Sequence, residues 1–284
     1  MIIRFKNFSH FLYIFFAFLS LNIFFFSTDK AEAKSFDVNN IEISKPFEIN
    51  FDKNKVIDDG FIKAFSRLIS TITVSSDQEI IKGIKLAEIK GMIESFSVKE
   101  EKFIDETYYV NLGVAFNKKK IFDYLENKNV FPSVPNRKKF LLFPIIIEEK
   151  NDNLIAFSEN NLFNNWNKYN KKSHLLEYLL PTEDLEDLNL IKKNYETIEK
   201  YNFEEITRKY NLDDSIVTLV FKNKNNVRIL SRITIEEKVV LKNLSFSDIN
   251  FDNEDDIKDL IDKLKIIYED HWKIFNRICE KIIG

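Results

Sequence analysis

The chain has 284 residues, with 42 Lys and Arg against 45 Asp and Glu, and 44% of its residues are hydrophobic. That length and apolar content suffice for one or two packed cores and exclude a wholly disordered or collagen-like chain. A net charge of -3 excludes the basic excess of an electrostatic nucleic-acid binder, and the single cysteine, Cys279, excludes an internal disulfide and a Cys-rich metal site.

Residues 1–33 differ from the rest. Arg4 and Lys6 precede an apolar run at 11–26, and a short polar stretch leads to Ala31-Glu32-Ala33. Basic, then apolar, then small-x-small is the order of a secretory signal peptide, here cleaved after Ala33 to leave a start at Lys34. The competing expectation is an uncleaved membrane anchor built on residues 11–26. Either one places the body of the protein outside the cytoplasm.

Residues 41–51 alternate, with Ile41, Ile43, Phe47, Ile49 and Phe51 on one side, which predicts a half-buried strand with Pro46 at an edge or bulge. From 54 to 73 the period changes. Ile57, Phe61, Ala64, Phe65, Leu68 and Ile72 form one helical stripe. A break at 74–77 offers Ser76 or Asp77 as a cap, and a second helix is expected over 78–93, weakened by Gly83 and Gly91. Residues 95–103 and 107–116 predict a hairpin, and a short helix follows at 118–128. The order β-α-α-β-β-α over 34–130 fits a small antiparallel sheet with helices on one face.

Residues 131–139, with Pro132 and Pro135, read as a linker. The second module is expected over 140–284. Residues 140–147 are apolar on both faces, as in a central strand, although Pro144 points to an edge or bulge. Helical spacing joins Leu162, Phe163, Trp166 and Tyr169. A strand at 175–180 ends at Pro181, helices follow at 185–199 and 203–210, and 215–221 with 227–236 forms a hairpin. The last 30 residues predict one long amphipathic helix through Ile257, Leu260, Leu264, Tyr268 and Trp272. The fold class is therefore α+β: two small modules with mainly antiparallel sheets, ending in a long helix.

The chain carries little that marks catalysis. Its five glycines form no phosphate loop and no nucleophile elbow. His174 and His271 stand alone, with no helical His pair to hold zinc. No cofactor is expected, and no catalytic residue is singled out. The acids at 183–187, 213–214 and 254–256 could hold a divalent cation, with Asp184, Asp187 and Asp213 as the candidate ligands, but acids after Pro181-Thr182 and after Asn253 read first as helix starts. Candidates for a binding surface are Tyr109, which points away from Tyr108 in its strand, Trp166, and the pair Arg228 and Arg232 on one face of the last hairpin.

The layout resembles an uncharacterised proteobacterial envelope family, catalogued as domain of unknown function two-zero-six-six. The resembling stretches are the strand at 41–51, Gly60-Phe61-Ile62-Lys63-Ala64-Phe65-Ser66-Arg67-Leu68, Leu112-Gly113-Val114-Ala115-Phe116, Leu141-Leu142-Phe143-Pro144, the helix at Trp166, the stretch from Leu179 to Asp187, and Tyr210 leading into 216–221. Together they span residues 36–235. The family pattern has a glycine where Glu183 stands here, so any special turn at that point is not carried over. The resemblance implies the periplasm of a Gram-negative bacterium and assigns no activity. The expectation is an exported, non-enzymatic adaptor that binds an envelope protein. The alternatives are a divalent-metal-dependent enzyme or binder using the acids at 183–187, and a structural protein tethered through residues 11–26. No nucleic-acid partner is expected.

Overall fold

The computed structural model describes residues 36–169 and 174–283, with side chains as far as Arg277. The segment 1–33, including the apolar run 11–26, lies outside the described residues. Among the described residues no helix is long and apolar enough to cross a membrane. The fold is α+β with mainly antiparallel sheets. It divides into two compact units: residues up to Leu68 with Ile84–Tyr124, and Ile69–Gly83 with everything from Leu125 on.

The first unit has a three-stranded antiparallel sheet in the order β1 (Asp37–Pro46), β3 (Thr107–Phe116), β2 (Ile93–Ile104). Strict alternation along β3 buries Tyr108, Val110, Leu112, Val114 and Phe116 on one face. Helix α1 (Lys53–Ile72) covers that face with Phe61, Ala64, Phe65 and Leu68. Gly60 sets the distance, because a Cβ there would lie 2.3 Å from Leu112 Cδ1. Helices α3 (Leu86–Met92) and α4 (Lys118–Glu126) complete the layer.

Three expectations are corrected here. The first strand ends at Pro46, and after one more backbone bond, from Phe47 N to Glu106 O at 2.7 Å, the chain leaves the sheet. Ile49 is fully exposed, while Phe47 and Phe51 turn back to meet Phe103 at 5.2 and 6.5 Å between ring centroids. The helix expected over 78–93 is two helices, α2 (Ser75–Ile81) and α3, because Gly83 between them takes φ +88°, a value no helix allows. Neither Ser76 nor Asp77 is the cap of α2; that position is Val74, which offers no side-chain bond.

The second unit has a six-stranded mixed sheet. β5 (Asn153–Ile155), β4 (Lys138–Glu148), β7 (Ser215–Asn223), β8 (Asn226–Ile235) and β9 (Lys238–Phe246) run in that order, and β6 (Leu176–Leu179) also pairs with β4. β4 runs parallel to β6 and β7, and the other pairs are antiparallel. β4 is central and buried on both faces, as its apolar run predicts. Pro144 is accommodated because β6 pairs with β4 only as far as Leu141 and pairing with β5 begins only at Ile146. The proline falls in the gap, and its carbonyl accepts from Asn160 Nδ2 at 3.0 Å.

Beyond the sequence expectations lies β9, which follows a two-residue turn at Glu236-Glu237 with both φ values positive. Helices α5 (Asn161–Asn165) and α8 (Glu254–Ile283) cover one face of this sheet, and α6 (Leu185–Lys193) and α7 (Glu204–Thr207) cover the other.

Helix α8 also does polar work. Lys265 is fully buried, and its Nζ donates to the carbonyls of Trp166 at 2.7 Å and Tyr169 at 3.2 Å, closing the helical segment 161–169. Lys273 Nζ donates to Ser70 and Thr73 carbonyls at 2.6 and 3.0 Å, closing the end of α1. Asp270 accepts from Ser75 N at 2.9 Å and so caps α2 in place of a local residue. Glu269 accepts from Leu175 N at 2.7 Å and lies 2.9 Å from His174 Nδ1. The Tyr268 hydroxyl sits between Thr218 Oγ1 at 2.8 Å and Ser231 Oγ at 2.7 Å in the sheet core.

Two outcomes follow from these contacts. Lys273→Met leaves two carbonyls without their donor and should cost about 1–3 kcal/mol, read from a lowered denaturant midpoint. Burial pushes the Tyr268 hydroxyl up to about 12, whereas unfolded tyrosine titrates near ~10. A raised folded value means that this contribution to stability is complete below pH ~10 and is lost as pH rises through about 12. Unfolding measured across that window should show a shallower alkaline loss in Tyr268→Phe than in the parent.

Candidate functional site

The acidic segment lies where the chain leaves β6 and enters α6. Asp184 is the N-cap of that helix, and its Oδ1 accepts from Glu186 N at 2.7 Å and Asp187 N at 3.3 Å. Those two N–H groups, with Lys209 adding a smaller share, hold the Asp184 carboxyl below its ordinary value. Asp187 is 1% exposed, and Lys209 Nζ lies 2.6 Å from its Oδ1 and 3.4 Å from Asp184 Oδ2. The bond to Asp187 pushes Lys209 upward, which keeps it charged.

An ammonium group therefore already occupies the place between the two carboxylates. Asp213 stands apart, exposed ahead of β7 in a groove of about 560 Å³ that Arg232 and Thr207 also line. Among the described residues no group of three or more His, Cys, Asp or Glu side chains is placed to hold a metal ion. The structure thus joins Asp184 and Asp187 through Lys209 and leaves Asp213 out. Lys209 had no sequence signal, since it lies 22 residues from Asp187 on a separate helical turn.

The aromatic and arginine candidates separate in the same way. Trp166 is fully buried, 6.2 Å from the Tyr268 ring and edge-on to Tyr178 at 5.5 Å. It is a core residue, and no partner reaches it in this fold. Arg228 and Arg232 both hold the segment around Glu199 against β8. Arg228 Nη2 meets Glu199 Oε1 at 2.6 Å with its guanidinium 3.9 Å above the Phe221 ring, and Arg232 Nη2 donates to Glu199 O at 3.1 Å. Their spacing on one strand face was legible, but their use as clamps on a loop was not. His271 is half-buried on α8, and burial pushes its imidazole down, with Lys242 adding to the effect. The Cys279 side chain lies outside the described side chains.

Tyr109 takes the position that alternation predicts. Tyr108 is buried, while Tyr109 is 37% exposed on the outward face of β3. Register places Ser44 and Lys102 on either side of it, and Glu42 and Glu100 on either side of Asn111 one step along. These side chains line an open depression of about 520 Å³ on the uncovered sheet face. Lys102 Nζ pairs with Glu100 at 3.1 Å, and Lys63 reaches in from α1 to donate to Glu42 O at 2.8 Å. The arrangement offers one aromatic plane, a hydroxyl, an amide and charges of both signs on a rigid strand framework. That equips it to bind a mixed polar and aromatic ligand surface, and it presents no nucleophile paired with a base.

Removing the internal cation should expose its role. Lys209→Ala leaves the buried Asp187 charge unpaired and should lower the melting temperature, and Asp187→Asn in that background should recover part of the loss. Calcium, magnesium or zinc should leave the melting temperature of the parent unchanged, because only a ligand that prefers the folded state raises it.

Compared with known proteins, the chain matches no family model and no curated protein.

Proposed function

We propose that this chain is an exported, non-enzymatic binding protein that acts as an adaptor in assembly or maintenance of the cell envelope, with the outward face of β3 as its binding surface. The observation that carries the reading is the depression around Tyr109. A solvent-facing strand position holds a large amphipathic ring at its centre, with Ser44 and Lys102 beside it and carboxylates one register step away. Tyrosine in such a setting supplies contact area and a hydrogen-bonding tip at small entropic cost, which is why it recurs at protein interfaces.

Export rests on the order of basic, apolar and Ala-x-Ala segments in residues 1–33. The periplasm of a Gram-negative bacterium rests on the stretches at 36–235 that resemble the uncharacterised envelope family. The partner in this reading is an envelope protein.

Crosslinking in the native cell, followed by recovery and peptide mass spectrometry, tests both parts. The expected result is a chain that starts at Lys34 and carries a reproducible envelope protein, with capture lost in Tyr109→Ala and kept in Tyr109→Phe. Capture that is indifferent to Tyr109→Ala would overturn the surface assignment, and a retained N-terminal segment would make the protein a tethered one.

A further inference from the structure

Strand β2 is an open edge. It pairs with β3 on one side, and among the described residues no strand pairs with its other side. All of its residues except Ile93 are exposed, including Phe96 at 51%, Val98 at 41% and Phe103 at 57%. A strand of 12 residues with free backbone N–H and C=O groups and an apolar row is a template for another strand. What it accepts is written in its charges and its bulge.

The register with β3 shifts between Val98 and Glu100. Before the shift, Phe96 and Val98 lie opposite Val114 and Leu112; after it, Glu101 and Phe103 lie opposite Val110 and Tyr108. All four share the helix-covered face. Ser97, Glu100 and Lys102 lie opposite Gly113, Asn111 and Tyr109 on the open face. Lys99 is the extra residue. It also lies on the open face, where its Nζ reaches Asn39 Oδ1 at 2.7 Å and its Cε approaches the space above Gly113.

The bulge fixes how β2 can pair with itself. In an antiparallel pair related by a twofold axis through the sheet, residues directly opposite must lie on the same face. An axis between Lys99 and Glu100 meets this condition along the strand. It sets Phe96 against Phe103 of the second copy, Ser97 against its Lys102, Val98 against its Glu101, and Lys99 against its Glu100, each twice by symmetry.

A register shifted one way places Lys99 opposite Lys102 of the second copy. Shifted the other way, Val98 of one copy meets Lys99 of the other from opposite faces. Like charges directly opposite destabilise a ladder, and aromatic and opposite-charge pairs support it.

We propose that β2 pairs antiparallel with β2 of a second copy of this chain in that register, joining two three-stranded sheets into one of six strands.

Sedimentation equilibrium of the protein as recovered from cells, over a dilution series, tests the proposal. The expected species is a dimer. Lys99→Glu alone and Glu100→Lys alone each place like charges opposite and should weaken the dimer at least ~10-fold. The double swap Lys99→Glu/Glu100→Lys restores opposite charges across the axis and should bring the dissociation constant back within about threefold of the parent. Circular dichroism of each variant should match the parent, since all of these side chains are exposed. A monomeric parent, a dimer indifferent to the single reversals, or a double swap as weak as either single change would each overturn the proposal. Tyr109→Ala should leave the dimer intact, so failure of the binding-surface reading is separable from failure of this one.

Discussion

Two buried ammonium groups on one helix hold the second unit together. Eight residues apart on α8, Lys265 and Lys273 each deliver donors to the carbonyls that end another helical segment. Helix ends leave carbonyls without partners and carry the negative end of the macrodipole, so a cation there satisfies both needs. Asp270 does the converse at the start of α2, where free N–H groups and the positive end of the helix invite a carboxylate. Between them Tyr268 ties α8 to the sheet through Thr218 and Ser231. The apolar stripe of α8 supplies the burial, and its polar positions decide where the neighbouring elements stop.

The first unit closes by different means. Its helix approaches the sheet at Gly60, where β3 leaves no room for a side chain. Its free end is sealed by aromatic contacts among Phe47, Phe51, Phe103 and Tyr108. The sheet keeps one face uncovered, and that face carries Tyr109. Binding surface and packed face are thus the two sides of one strand, separated by the period of two that β-structure imposes.

Much of this was legible because it is local. Alternation located β3 and the outward Tyr109, and a run apolar on both faces marked β4 as a strand, with Pro144 leaving a central place and an edge or bulge both open. The long period-3.6 stripe located α8. What escaped depends on residues far apart or on turns without their usual residues. The β8–β9 turn uses Glu236-Glu237 with positive φ at both positions, where Asn-Gly is the recognisable signal. Helical spacing grouped Trp166 with Leu162 but could not say that the ring of Tyr268, about 100 residues later, stacks on Trp166. Asp184 and Asp187 read first as a helix start, with metal ligation as the alternative; Asp184 is the N-cap of α6, and Lys209, distant in sequence, lies between the two carboxylates.

The contacts of α8 also set a clock. The carbonyl of Ser70 receives its donor from a residue 203 positions later, and Thr73 waits for one 200 positions later. At a synthesis rate of ~5–20 residues per second, that interval lasts on the order of 10–40 s. Throughout it the Ser70 and Thr73 carbonyls wait for Lys273, and Ser75 N waits for Asp270. The donors and the acceptor that α8 brings to these two helix ends therefore arrive together, when residues 270–273 are made.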